Sequence, residues 1–183
     1  MNVPDHELRS AQGDDLQGIV TLLTDCGLPS SDLNAASLAH FHVIDSAGRL
    51  VGVAGLEVAG SFGLLRSVAV APAFRGKGLA SRLVDAIEAA SRKDDLSALY
   101  LLANDANAAS CFRHIGYSPV DRARVPVALL ALPEFSQLCP QSCPCLRKVL
   151  DIHAFKETET NRPDVVGPVS VCSGAAAPSC CKR

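Results

Sequence analysis

No charge of either sign dominates this chain: 17 Lys and Arg stand against 19 Asp and Glu, for a net charge of −2. That balance removes the electrostatic reason to expect nucleic acid as a partner. No apolar run reaches the roughly 18 residues that a membrane-spanning helix requires, so no membrane partner is expected. The stretch Met1 to Glu7 has neither the basic flank nor the apolar centre of a secretory leader, which predicts a cytoplasmic location. Internal repeats are absent as well. In a cytoplasm the eight cysteines stay mostly reduced, so a disulfide framework ranks behind free thiols or soft-metal ligation. What is present, 48% hydrophobic and 20% charged residues over 183 positions, suits one globular domain with a sizeable core. We place it at residues 1–150. Residues 151–183 read as a flexible, cysteine-containing extension, because the sequence from Lys156 to Asp164 is polar and aperiodic.

Along the chain, Glu7 to Ala11 reads as a first strand. Asp14 and Asp15 open a helix whose apolar residues Leu16, Ile19, Leu22 and Leu23 recur at helical spacing, and Cys26-Gly27-Leu28-Pro29 stops it. Phe41 to Asp45 and Leu50 to Val58 form a hairpin about Ala47-Gly48, and Leu64 to Ala71 follows as a third strand. A helix over Leu79 to Arg92 turns Leu79, Leu83, Ile87 and Ala90 inward and Arg82, Asp85, Glu88 and Arg92 outward. Ala98 to Leu102 has strand length. Asn104, Asp105 and Asn107 are N-cap candidates for a short helix ending near Gly116. Tyr117 to Val120 and Ala123 to Leu130 supply the last strands, with Ala128 to Leu132 equally readable as helix. Hairpins first and a strand–helix–strand crossover later predict an α/β (α+β) class, a mixed central sheet flanked by helices on both faces.

The densest signal is Arg75-Gly76-Lys77-Gly78-Leu79-Ala80, set between the third strand and a helix. Backbone N–H groups, no obstructing side chains and a helix N-terminus together suit a phosphate-bearing ligand. A Walker A loop is absent. The dinucleotide pattern G-x-G-x-x-G fails at its third glycine, where Ser81 stands. The pattern [Arg/Gln]-x-x-Gly-x-[Gly/Ala] fits through Arg75, Gly78 and Ala80. Here the chain resembles the GNAT superfamily of acyl-CoA-dependent N-acetyltransferases. Ser67 to Phe74 is similar to that family's fourth strand and its exit. Asn104 through Cys111-Phe112-Arg113-His114-Ile115-Gly116-Tyr117 is similar to its second signature, so the resemblance spans roughly residues 7 to 135. Gly55-Leu56-Glu57, Leu65-Arg66-Ser67, Val125-Pro126 and Glu134 to Pro140 further resemble the arsenic-resistance-associated branch, which is related to phosphinothricin and arsinothricin acetyltransferases.

The resemblance implies the GNAT fold and acetyl-CoA as co-substrate, with no metal required. It implies main-chain contacts from Val68, Ala69 and Val70 to the pantetheine arm, and a pyrophosphate cradle from Arg75, Gly76, Lys77, Gly78, Leu79 and Ala80, with Asn104 also on the cofactor side. The acceptor amine must lose a proton, and a carboxylate near the cleft can take it. Glu57, at the end of its strand, stands where many members of the family carry that base. The usual tyrosine acid of the second signature is Phe112 here, which leaves water, Tyr117 or direct release of the thiolate to serve instead. Arg66 has the parity of Val68 and Val70, hence their face, and is expected to hold the acceptor's carboxylate or phosphinate- or arsonate-like group. His40 and His42 share a strand face and read as structural.

Cys26 and Cys111 read as core or half-buried thiols, whereas Cys139, Cys143, Cys145, Cys172, Cys180 and Cys181 cluster late in the chain. Thiolates of this kind suit soft metals and trivalent arsenic. The expected function is acetyl transfer to a small-molecule amine, in particular an amino-acid-like arsenical or phosphinate, with a homodimer left open. Two alternatives stand beside it: a thiol-based As(III)-binding protein on the same scaffold, and a transferase acting on protein amines.

Overall fold

The computed structural model describes residues 6–160. β1 (Glu7–Ser10) leads into α1 (Leu16–Asp25), whose buried Ile19, Leu22 and Leu23 are the residues expected from their spacing. Asp15 does not cap α1 with its own side chain. It accepts the Gln12 N–H at 2.7 Å and a bidentate contact from Arg9 at 2.7 and 2.8 Å, which ties β1 to the helix start. Asn34 caps a 3-10 turn, Ala35–His40, that carries the chain into β2 (Phe41–Ser46). β2 and β3 (Arg49–Ala59) meet at Ala47-Gly48, both at positive φ, the conformation that matches the twist of a hairpin. β4 (Phe62–Val70) pairs antiparallel to β3; α2 (Leu79–Lys93) then crosses over to β5 (Ala98–Leu102), which runs parallel to β4.

The seven-stranded sheet has the order β1-β2-β3-β4-β5-β7-β6, and its β4/β5 pair is parallel among antiparallel neighbours. Helices cover both faces, as expected. A register shift after Ile44 puts Leu50 and Gly52 on opposite sides of β3. α1 approaches Leu50 through Gly18, while Leu83 of α2 lies over Gly52. Further along, Leu99 and Leu101 of β5 join the core with α2, whereas Ala98 and Tyr100 pack with Val125, Leu129 and Phe135.

Three expectations change. After α3 (Ala106–His114), β6 is only Ser118–Pro119, an edge position that tolerates proline, and residues 123–130 form no strand. They are a 3-10 turn followed by α4 (Val127–Leu130). The strand that completes the sheet is β7 (Cys145–Val149), inserted between β5 and β6. The expected extension begins in a helix, α5 (Ile152–Thr160), with Phe155 buried against Phe62 and Arg147 over its ring. Glu88, expected outside, is buried because Lys148 of β7 reaches it at 2.7 Å.

Candidate active site

β4 and β5 pair only from Phe62↔Ala98 to Leu64↔Tyr100, and beyond that they separate. A bulge in β4 shapes the opening. Gly55 pairs with Arg66 and Val53 with Ala69, so Ala54 alone faces both Ser67 and Val68, and Ser67 takes a φ of 56°. The extra residue resets the alternation of side chains. Arg66 therefore shares a face with Ala69, not with Val68 and Val70, and the parity expectation is overturned by the bulge. The backbone benefits from the same reset. Ala71 donates its N–H to Val51 at 2.9 Å, so the ladder turns the N–H and C=O of Val70 and Val68 away from β3 and those of Ala69 toward it.

The opening holds two adjoining chambers. The inner one, about 70 Å³, lies between Leu65–Val68 and Leu101–Asn104 and is bounded by Phe112 and Glu134. The outer one, about 490 Å³, runs between Val68–Val70, the start of α2 and α3, with Asn104 and Phe112 lining both. At its far end Gly76 and Gly78 each adopt a φ of 74°, and a Cβ on either would meet nothing within 4 Å. Gly78 is the N-cap of α2 and offers no side chain to the helix start. Among the described residues, the N–H groups of residues 76–81 have no hydrogen-bond acceptor. A row of such donors at the start of a 15-residue helix has the chemistry to hold an anion. Arg75 anchors the loop: its Nε donates to the Val70 carbonyl at 3.0 Å and its Nη2 to Cys26 Sγ at 3.6 Å. Lys77 Nζ sits 5.0 Å from the Phe74 ring centroid.

Arg66 is already occupied. Its guanidinium donates to both oxygens of Asp32, at 2.5 and 2.9 Å, and to Glu57 Oε2 at 3.1 Å. Its Nε lies 2.9 Å from Glu134 Oε2, at an angle too bent for a hydrogen bond. Burial works against its charge, yet Asp32, Glu134 and Glu57 hold its pKa above the ordinary value. Asp32 is pushed up by burial and pulled down further by Arg66, ending below the usual carboxylate range. Glu134 moves the other way. Burial raises it, Asp32 and Glu57 add to that, and Arg66 only partly offsets the effect. Glu57, its side chain one-third exposed, lines a separate side pocket of about 390 Å³ with Asp32, Arg66 and Pro133. Arg66 stands in the wall between that pocket and the inner chamber.

The structure does not bring Tyr117 to the cleft. It is 2% exposed, stacked edge-on beneath Phe112 at 5.7 Å, and it lines neither chamber. Burial and the neighbouring Glu88 push its phenol well above the ordinary range, which makes proton donation harder. Cys26 is half-buried against the core, as expected, and lines the outer chamber; Cys111 lines it too but is exposed, against expectation. Burial lifts the Cys139 thiol to about 12 and the Cys145 thiol to about 11, which keeps both protonated. Among the described residues no three His, Cys, Asp or Glu side chains are gathered to hold a metal ion. Cys172, Cys180 and Cys181 lie outside the described residues. Sequence reasoning gave no role to Asp32 or Glu134. Asp32 carried no signal in its loop, but Glu134 did, as a lone carboxylate in the apolar run from Leu129 to Phe135.

Residues 37–119 match the model of a family described as an acetyltransferase (GNAT) domain. No curated protein sequence matches the chain. Among solved structures, N-acetylglutamate synthase from Neisseria gonorrhoeae, complexed with coenzyme A and N-acetyl-glutamate, superposes with a TM-score of 0.68 at 21% identity, over 80% of this chain and 35% of that one. The chain thus spans about a third of the synthase. Rv2747 from Mycobacterium tuberculosis, in complex with CoA, gives a TM-score of 0.64 at 22% identity over 78% of this chain and 98% of that one. PaiA N-acetyltransferase from Thermoplasma acidophilum, in complex with coenzyme A, gives 0.58 at 13% identity over 79% and 99%. The likeness is one of fold: the mixed sheet with helices on both faces is the GNAT fold.

Proposed function

We propose that this chain is an acetyl-CoA-dependent N-acetyltransferase of the GNAT type that passes an acetyl group to a small amine. The observation that carries the reading is one continuous line of backbone donors and acceptors. It starts at the N–H groups of residues 76–81, continues along the outward-turned backbone of Val70 and Val68, and ends at the inner chamber. A diphosphate fits the first part, because donors without internal acceptors and open space beside Gly76 and Gly78 admit an anion. A chain of amides fits the second, where Val68 and Val70 act as the edge of a strand. Asn104 lines the cleft between the two. Arg75 supports the cradle by fixing the loop to the end of β4, and Lys77 adds charge beside it.

In the reaction the acceptor nitrogen, once deprotonated, attacks the acetyl carbonyl, and the thiolate of CoA leaves. Carboxylates of the Arg66 cluster, Glu57 among them, are the groups able to receive the amine's proton. Phe112 cannot protonate the thiolate, and with Tyr117 in the core no side-chain acid of the second signature faces the chamber. The acceptor is a small amine. An amino-acid-like arsenical or phosphinate rests on the resemblance of Gly55-Leu56-Glu57, Leu65-Arg66-Ser67, Val125-Pro126 and Glu134 to Pro140 alone, since an acceptor anion at Arg66 would have to displace Asp32 or Glu57. The As(III)-binding alternative rests on Cys172, Cys180 and Cys181, which lie outside the described residues.

Acetyl-CoA binding tests the cradle directly. Gly78→Glu puts a carboxylate into the anion site and a side chain at positive φ. Loss of one charge-assisted contact is worth about 1.5–3 kcal/mol, so the acetyl-CoA KM should rise about tenfold or more while circular dichroism shows the fold intact. An unchanged KM would overturn the assignment. A CoA-release assay over amino acids, polyamines and toxic analogues identifies the acceptor.

A further inference from the structure

We infer that Glu134 is the general base, taking its proton from the acceptor ammonium inside the inner chamber. The inference rests on the acetyltransferase reading and deepens it. Three observations support the choice of this carboxylate over Glu57.

The first is place. The cleft narrows to the inner chamber where β4 and β5 separate, and Glu134 is the carboxylate lining that chamber, whereas Glu57 lies beyond Arg66 in the side pocket. A base must reach the nitrogen that attacks, at the end of the cleft and not at its flank. The second is partnership. Oε2 of Glu134 is held beside Arg66 Nε at 2.9 Å, while the contact of Oε1 is the Cys139 thiol at 3.9 Å, which is long even for sulfur. One oxygen is thus fixed and the other is left without a strong donor. The third is environment. Glu134 is 7% exposed and faces Arg66 from β4, Asp32 from the loop after α1, Glu57 from β3 and Cys139 from its own turn. Burial and the two other carboxylates make it more basic than an ordinary glutamate, and Arg66 keeps its charge tolerable.

The proton balance closes within the site. The ammonium N–H bond breaks as the Glu134 O–H bond forms, and the freed lone pair attacks the acetyl carbon. When the C–S bond breaks, the nitrogen's second proton goes to the departing sulfur, which yields the CoA thiol and a neutral amide. Glu134 then returns its proton to solvent. Arg66 positions the base and takes no proton.

The test uses the full chain with whichever amine the CoA-release panel identifies. Glu134→Gln should lower kcat by about 10²–10⁴-fold and abolish the acidic limb of the kcat–pH profile, with CoA affinity by calorimetry within about twofold of wild type. Glu57→Gln should keep that limb. The proposal is overturned if Glu134→Gln keeps the limb or if Glu57→Gln is the variant that loses it. Wild-type protein that binds no CoA, or releases none with any amine, overturns the acetyltransferase reading instead.

Discussion

At the scale of single residues, the Glu88–Lys148 pair shows what helical periodicity misses. Glu88 falls on the polar side of α2 by spacing, yet its side chain is 5% exposed because β7 brings Lys148 over it. The ammonium donates to both Glu88 oxygens, at 2.7 and 2.8 Å, and to the Ile115 carbonyl at 2.9 Å. One cation therefore joins α2, β7 and the C-terminal end of α3. It also lies 5.5 Å from the Tyr117 ring centroid. A buried ion pair adds little over an apolar pair of the same shape, but removal of one partner strands the other charge. Lys148→Ala leaves Glu88 only the longer contact with Arg92, at 3.5 Å, and should cost about 1–3 kcal/mol, measured as a fall in the denaturation midpoint. The double variant Glu88→Leu/Lys148→Met should recover most of that loss. If the double variant is as unstable as the single one, packing and not the stranded carboxylate carries the cost.

At the scale of elements, the β2–β3 turn places Ala47 at a φ of 53°, where a side chain is strained by about 1 kcal/mol or more. Asparagine tolerates that region, and Asn-Gly is the preferred pair for such a turn. Ala47→Asn should stabilise the protein by about 0.5–1 kcal/mol, read by thermal or chemical denaturation, and leave the distant cleft unaffected. This turn was readable in the sequence because two small residues separate two alternating runs. β5, α2 and the N-cap of α3 at Asp105 were readable for the same local reasons. The elements that escaped are those whose form is set by neighbours. β7 reads Cys-Leu-Arg-Lys-Val, with two cations where a central strand is usually apolar. Its Lys148 is paired inside the protein and its Arg147 lies over Phe155, and neither partner is close in sequence. The bulge at Ser67 carries no glycine, and it alone decides which way Arg66 points. The glycine loop at the start of α2 was thus legible from order and spacing. The Arg66 cluster was not, since Asp32, Glu57 and Glu134 come from three separate segments and meet only through the fold.

At the scale of the whole molecule, the second face of the sheet is closed late. Phe62, Ala98 and Tyr100 are covered by Val125, Leu129 and Phe135 from the β6–β7 connection and by Phe155 from α5. The connection that supplies this cover also supplies Glu134, so packing on that face and the geometry of the inner chamber are linked. α5 belongs to the cover and not to the cleft, since among the described residues none beyond Glu134 lines either chamber. Two truncations separate these roles. Removal of residues 161–183 keeps Phe155 and every cleft residue among the described ones, so stability and acetyl-CoA KM should match the full chain. Removal of residues 151–183 also exposes Phe62 and unseats the Arg147 contact. Loss of a buried phenylalanine costs about 3–5 kcal/mol, which should appear as a markedly lower melting temperature. Because that face also carries Glu134, the shorter protein should lose kcat before it loses acetyl-CoA affinity. Equal loss of both would mean that α5 supports the donor half of the cleft as well.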